Sequence, residues 1–142
     1  MIVPDINLLV YAYNRDAPWH EEARVWWEGA MNGRTPVAIP SIVVVGFIRL
    51  MTTTAVLERP FPISEAFDVV DSWFDRHQVS LLEPGPRALT LYRSAMTRSN
   101  ATGRLATDAF LAALAIENAA ELHSNDADFG RFPGLRWINP LP

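Results

Sequence analysis

Apolar residues in this chain follow two rhythms. Short unbroken runs alternate with longer segments in which apolar positions recur at helical spacing. The clearest case is Leu105 to Phe129, LATDAFLAALAIENAAELHSNDADF. Leu111, Leu114, Ala115 and Ala119 share a helical spacing behind Thr107, a candidate N-cap, and Asp108, an acid in the first turn. Glu121 to Ser124 reads as a strand, and Asn125-Asp126-Ala127-Asp128 as a turn carrying two acids.

The rest of the chain repeats the alternation. Ile2-Val3-Pro4 reads as a strand ending at Asp5, followed by a helix to about Asn14. Pro4 removes one ladder hydrogen bond, so that strand must be short or carry the proline near its end. Pro18 opens a second helix with Ala23, Trp26, Trp27, Ala30 and Met31 on one face, and Gly33 ends it. Thr35 to Ile39 is a second strand. Ser41 caps a third helix, Ile42 to about Thr52, apolar on nearly every side until Arg49 and placed in the interior; its β-branched run, Ile42 to Val45, would equally suit a strand. Thr52 to Pro62 is a loop. Ser64 caps a fourth helix with Ala66, Phe67, Val70, Trp73 and Phe74 inward. Val79 to Leu82 is a third strand. Pro86 opens a fifth helix in which Leu89, Tyr92, Ala95 and Met96 pack, and Ser99 to Gly103 is the most flexible-looking stretch. A last strand covers Arg136 to Ile138. Helices alternating with short strands predict a three-layer α/β/α domain, one unit over residues 1–142, with a short, mostly parallel central sheet.

Composition narrows the chemistry. The chain of 142 residues carries a net charge of −4, with a pI near 5.3. A general nucleic-acid coat would be basic, whereas a metal centre is itself acidic. There is no cysteine, hence no disulfide framework and no thiolate zinc site. All 12 cationic side chains are arginine, so mechanisms that require a lysine are excluded. No apolar run approaches the ~20 residues of a membrane span, and Met1 to Asp5 has no basic start of a signal peptide. The expected compartment is the cytoplasm.

Three acids converge in this scheme. In a parallel sheet, the start of a crossover helix and the end of the next strand lie at the same edge. That carboxyl edge is where open α/β folds bind ligands. Asp5 ends the first strand, Asp108 starts the helix before the fourth, and Asp126 follows the fourth. Each has a structural explanation alone: a helix cap, a helix-dipole partner, an Asx turn. Together, clustered carboxylates repel and raise one another's pKa unless a cation sits among them. Oxygen ligands without His or Cys suit Mg²⁺ or Mn²⁺.

Asp5 in MIVPDINLLVYAY, Asp108 in LATDAFLAALA and the closing SNDADFGRFPGL resemble the PIN domain, and more closely the VapC-type toxins of bacterial toxin–antitoxin pairs. The resemblance runs through the whole chain, including the GFIRL segment at Gly46 to Leu50. It implies a Mg²⁺-dependent endoribonuclease, with Mn²⁺ as a substitute, that cuts structured cellular RNA such as tRNA or rRNA. It also implies a homodimer held inactive by a VapB antitoxin. Asp5, Asp108 and Asp126 match the family's metal-binding acids, Ser124 its small hydroxyl residue, and Asp128 a second acid that is more often structural. One position departs: where the family usually has a Glu, this chain has Gly46, which puts a second metal ion in doubt.

Other residues invite weaker readings. Arg49 suits an approach to the acidic site, an RNA phosphate contact or a pair with a buried acid, and the last is the expectation. Arg93, Arg98 and Arg104 surround the stretch before Asp108, either as a solvated face or as RNA contacts. His20, His77 and His123 share no ligand spacing. Trp19, Trp26 and Trp27 cluster on or beside the second helix, and of the adjacent pair Trp26 and Trp27 one is expected to cover an antitoxin or dimer surface. The rival functions are an aspartyl-phosphate enzyme, disfavoured by the missing lysine, and a PIN domain that binds without cutting.

Overall fold

The first strand stops where the first acid begins. In the computed structural model, which describes residues 1–142, β1 (Ile2–Pro4) runs into Asp5 and the chain turns at once into α1 (Ile6–Tyr13). There follow α2 (His20–Asn32), β2 (Val37–Pro40), α3 (Ser41–Met51), α4 (Ile63–Phe74), β3 (Val79–Leu82) and α5 (Ala88–Ser99). A 3-10 turn at Gly103–Leu105 leads into α6 (Ala106–Glu117). Then come β4 (Glu121–His123), a second 3-10 turn at Ala127–Arg131, and β5 (Arg136–Ile138). The elements arrive in the expected order. The sheet order is β3-β2-β1-β4-β5, and every pairing is parallel.

That order sets the layers. The chain steps outward from β1 to β2 to β3, then crosses back over β1 to β4. Right-handed crossovers put the helices of the outward steps on one face and those of the return on the other. The packing agrees: α1 touches α2 and α3, α3 touches α4, and α5 and α6 pack on each other. The three-layer α/β/α arrangement of the PIN domain is thus present. The reversal leaves a crevice between the carboxyl ends of β1 and β4, the switch point where such sheets bind ligands.

Pro4 shapes this edge. The Ile2 N–H donates to Pro36 on the β2 side at 2.8 Å, and the Asp5 N–H donates to His123 on the β4 side at 2.9 Å. Pro4 shares the parity of Ile2, so its missing N–H falls on the β2 side. Accordingly β1 pairs with β2 only at Ile2, but with β4 along its whole length.

Helix starts depart from expectation by one or two residues, mostly for one reason. Pro40 and Pro62 hold extended backbone (ψ 143° and 149°) and stand as the flanking residues themselves. Ser41 and Ile63 then begin α3 and α4, so Ser41 and Ser64 are not caps. The Ser41 hydroxyl instead donates to Glu83 at 3.0 Å. Likewise α2 starts at His20, past Pro18, and α5 at Ala88, past Pro86. Thr107 lies inside the first turn of α6, which begins at Ala106. Ala119 is no part of that helix's face. It sits beyond the end with φ 50°, and Ala120 N–H donates back to Ala115, a closure usually given to glycine.

The core joins both faces of the sheet, with Val3, Ile39 and Leu122 between Leu8, Phe47 and Trp73 on one side and Leu111 and Leu114 on the other. Phe47 and Trp73 meet edge-on at 4.8 Å, and Trp73 donates to the Tyr13 hydroxyl at 2.9 Å. α3 is a helix, and it is not interior on every side: Val45 and Arg49 face solvent. Arg49 takes no ion pair, against expectation. Phe67 and Leu89, expected inward, are exposed because α4 buries Ala66, Val70 and Trp73 and α5 buries Ala88 and Ala95. No helix is long and apolar enough to cross a membrane.

Candidate active site

Asp5 and Ser124 are each the first residue past a strand, and β1 and β4 are neighbours. Their side chains therefore meet at the switch point. The Ser124 hydroxyl donates to Asp5 Oδ2 at 2.7 Å. It accepts from the Asp126 N–H at 3.0 Å and from Asn7 Nδ2 at 3.4 Å. One donor and two lone pairs are all a serine hydroxyl has, so Ser124 is saturated. Asp5 Oδ1 accepts the Ile6 N–H at 2.7 Å and caps α1. Both Asp5 and Ser124 are buried. Burial pushes the Asp5 carboxyl above its ordinary range, Ser124 and the Ile6 N–H pull it back, and the charge of Asp126 adds to the rise.

Asp108 comes in from the first turn of α6. Its carboxyl is pushed up to about 6, first by burial and then by the charges of Asp5, Asp126 and Asp128, with Arg104 opposing. Asp126 Oδ1 accepts the Asp128 N–H at 2.9 Å, an Asx turn that opens the second 3-10 turn. Asp128 itself lies between Arg104 at 3.2 Å and Arg131 at 3.4 Å. Four carboxylates thus crowd one edge, and Asp108 carries the electrostatic consequence. With these rotamers, no three His, Cys, Asp or Glu groups are set to grip one ion.

Asn7 belongs to this site and was not singled out from sequence. Its amide donates to Ser124, while its Oδ1 is buried with no hydrogen-bond partner. An orphaned neutral oxygen beside crowded carboxylates is the donor chemistry a hard divalent cation takes up. The signal was a lone polar side chain in the first turn of the otherwise apolar INLLVYAY. Ser124→Ala removes three hydrogen bonds at once and leaves the Asp126 N–H and the Asp5 oxygen short of partners. It is expected to cost about 1–3 kcal/mol, read by urea unfolding. A cost within about 0.5 kcal/mol would show that water replaces the hydroxyl.

Gly46 packs against Ile6. It is buried in α3 against the start of α1, and a Cβ built there meets the movable end of Ile6 at Cδ1 and lies 3.2 Å from Cγ1. Ile6 fills the space a longer side chain would need, directly beside Asp5. Gly46→Ala gains about 1 kcal/mol of helix propensity and loses about 1–3 kcal/mol to overpacking. Ile6→Val removes the nearest atom, so the double variant is expected to be more stable than the sum of the single changes by about 1 kcal/mol. Additive costs in urea unfolding would clear Ile6 as the obstacle.

Of the two adjacent tryptophans, Trp27 turns into the core and Trp26 is half-buried. Trp27 is buried against Trp73, at 5.6 Å. Trp26 lies across His123 of β4, donating from Nε1 to His123 Nδ1 at 3.1 Å. Successive helix positions diverge by about 100°, so Trp27 reaches Trp73 while Trp26 reaches His123 of β4. The indole only donates, so His123 Nδ1 accepts and the ring is neutral. Burial lowers the His123 pKa accordingly. His20 contacts the Tyr11 carbonyl and His77 is exposed.

Comparisons with known proteins show the family. The PIN-domain family profile matches residues 2–135. Ribonuclease VapC33 of Mycobacterium tuberculosis is 40% identical over 141 residues, covering 99% of each chain. Ribonuclease VapC37 of the same organism is 34% identical, covering 99% of this chain and 97% of its own. Among solved structures, VapBC2 from Rickettsia felis bound to a promoter DNA fragment superposes with a TM-score of 0.72 at 22% identity, covering 98% of each chain. VapC20 of Mycobacterium tuberculosis, a Sarcin-Ricin loop cleaving toxin, gives 0.69 at 14% identity, covering 96% of this chain and 99% of that one. By profile, and by identity along essentially its whole length, the chain belongs to the PIN-domain family, among the VapC ribonucleases.

Proposed function

We propose that this chain is a Mg²⁺-dependent endoribonuclease toxin of a toxin–antitoxin pair, with Asp5, Asp108 and Asp126 as the residues that hold the ion. The observation that carries the site is the meeting of carboxylates at the switch point, where burial first and the neighbouring acids second raise the Asp108 pKa to about 6. The full-length identity to Ribonuclease VapC33 supports the activity. Mn²⁺ satisfies the same oxygen donors. When bound, the ion polarises a phosphodiester oxygen and lowers the pKa of the attacking water. Ser124 fixes the rotamer of Asp5, the Asx turn fixes Asp126, and the start of α6 carries Asp108 to meet them. Burial of Asp5 keeps bulk water from competing for its oxygens. The substrate class is structured RNA, tRNA or rRNA, in the cytoplasm.

Two partners follow. A VapB-type antitoxin is supported by solved neighbours that are themselves VapBC complexes. A second copy of the chain is supported by apolar surface on α3 and α5. A groove of about 290 Å³ where α3, α5 and α6 meet is lined by Ile42, Tyr92, Thr107 and Phe110, and Val45 on α3 and Leu89 on α5 face solvent.

The test is cleavage of total cellular RNA by purified protein with Mg²⁺ and with EDTA. Cleavage in Mg²⁺ that EDTA abolishes supports the proposal. Intact RNA with a folded, metal-replete protein favours the second reading, a PIN domain that binds RNA or protein without cutting. Gly46, at the position where the resemblance implies a second acid, is the departure behind that alternative.

A further inference from the structure

The acid cluster has a cationic rim with spare hydrogen-bonding capacity. The Gly103–Leu105 turn runs directly into α6, so Arg104 stands one helical turn before Asp108, at the i,i+4 spacing that shares a face. Its Nη1 donates to Asp128 Oδ2 at 3.2 Å, reaching from the α6 side of the site to the β4 side. Arg131 takes the other oxygen of Asp128 at 3.4 Å, and the Asp128 N–H is tied to Asp126. Asp128 is thereby fixed, and it draws the Arg104 guanidinium along the acid edge.

Fold stability accounts poorly for this arrangement. The Arg104 side chain is 79% exposed, and ion pairs that open to solvent contribute little to stability. A guanidinium has five N–H donors, and Arg104 spends one of them on protein. The chain has no lysine, so any cationic contact to a phosphate must come from arginine. Arg24, Arg87 and Arg136 are engaged with Glu21 and Glu28, the Glu117 carbonyl and Glu121. Bare acids repel RNA, and a planar fork beside them offsets that repulsion while matching phosphate geometry.

We propose that Arg104 is an RNA-binding residue, its free guanidinium edge gripping a backbone phosphate beside Asp108 while Asp128 holds the other edge in place. This rests on the ribonuclease reading of the same site. It adds the contact that brings the strand to the acids, and it gives Asp128 a positioning role in place of metal binding.

The experiment is equilibrium binding of a fluorescently labelled single-stranded RNA in EDTA, across a range of KCl, for the wild-type chain, Arg104→Gln, Arg104→Lys and Arg131→Gln. Arg104→Gln is expected to weaken binding about tenfold at low salt and to flatten the plot of log Kd against log salt by about 0.7. Arg104→Lys keeps the slope, because charge is retained, and loses part of the affinity, because the fork is lost. Arg131→Gln changes affinity by less than about twofold. An unchanged slope in Arg104→Gln overturns the proposal, as does failure of the wild-type chain to bind this RNA. Equal losses in Arg104→Gln and Arg131→Gln also overturn it, since both would then act only by holding Asp128. Cleavage of total RNA by the wild-type chain in Mg²⁺, run in parallel, separates the two readings. If the chain cuts but the slope is unchanged, the phosphate contact alone is wrong. If the slope flattens and nothing is cut, the contact stands and the nuclease reading fails.

Discussion

Asp5→Asn leaves the chain folded and lowers its cleavage of RNA by at least about 10³-fold. An amide is the same size as the carboxylate and still offers an oxygen to the Ile6 N–H, now at 2.7 Å, so the cap on α1 is retained. It also removes a buried charge whose burial already disfavours ionisation. What is lost is the anionic oxygen that Ser124 aims into the site. Loss of one charged ligand from a cation that stabilises the transition state removes several kcal/mol, and about 4 kcal/mol is 10³-fold in rate. Cleavage of total RNA in Mg²⁺ and the thermal midpoint, measured on the same preparation, check both halves. Activity within tenfold of wild type would remove Asp5 from the ion-binding set. A collapse of Tm would make Asp5 a structural residue first.

Asp108→Asn raises stability when no divalent cation is present. The folded-state pKa is raised to about 6 from 3.8, so the folded chain holds a proton that the unfolded chain has released between those values. The contribution of Asp108 to stability is therefore fully present below about 3.8 and lost as pH rises through about 6. At pH 7 the ionised carboxylate is a net cost. Asp108 is about half buried, which discounts the full linkage energy to about 1–2 kcal/mol. The variant is expected to melt about 3–8 °C higher in EDTA at pH 7. The advantage narrows as pH falls through 6 and disappears near 4. Saturating Mg²⁺ reverses the order, because binding stabilises the wild type by mass action and the variant much less. Thermal unfolding from pH 8 to pH 4, with EDTA and with Mg²⁺, measures all of this. Parallel pH curves for the two chains would show that Asp108 does not carry the repulsion.

These two variants separate what carboxylates do for the fold from what they do for chemistry. Hydrogen bonds on Ser124 hold Asp5, Asp126 and Asn7, while Asp108 answers first to burial and then to the charges of the neighbouring acids. Crowding of this kind lowers stability in the absence of the cation, and the site retains it. Active sites commonly carry such unfavourable local terms.

Much of the architecture was legible along the chain. Alternation of helical and strand patterns gave the element order, and chain polarity alone put Asp5, Asp108 and Asp126 at one edge of a parallel sheet. These features are local or follow from handedness, so sequence determines them by itself. The absence of lysine and cysteine likewise removed whole classes of mechanism without reference to any fold.

Tertiary structure alone decided the rest. Whether Leu89 or Ala88 turns inward depends on what lies opposite α5, and so does the burial of Trp27 with Trp26 laid over His123. The helix starts at Ser41 and Ile63 were decided by the extended prolines before them rather than by the nearest hydroxyl. Gly46 is a departure from the family pattern in the sequence, and only the fold shows that the end of Ile6 packs against it. Asn7 drew no notice until its oxygen was found buried without a partner. The saturation of Ser124 and the reach of Arg104 to Asp128 each join residues far apart in sequence. Contacts of that kind depend on how packed elements approach one another in space, and no periodicity along the chain encodes that distance.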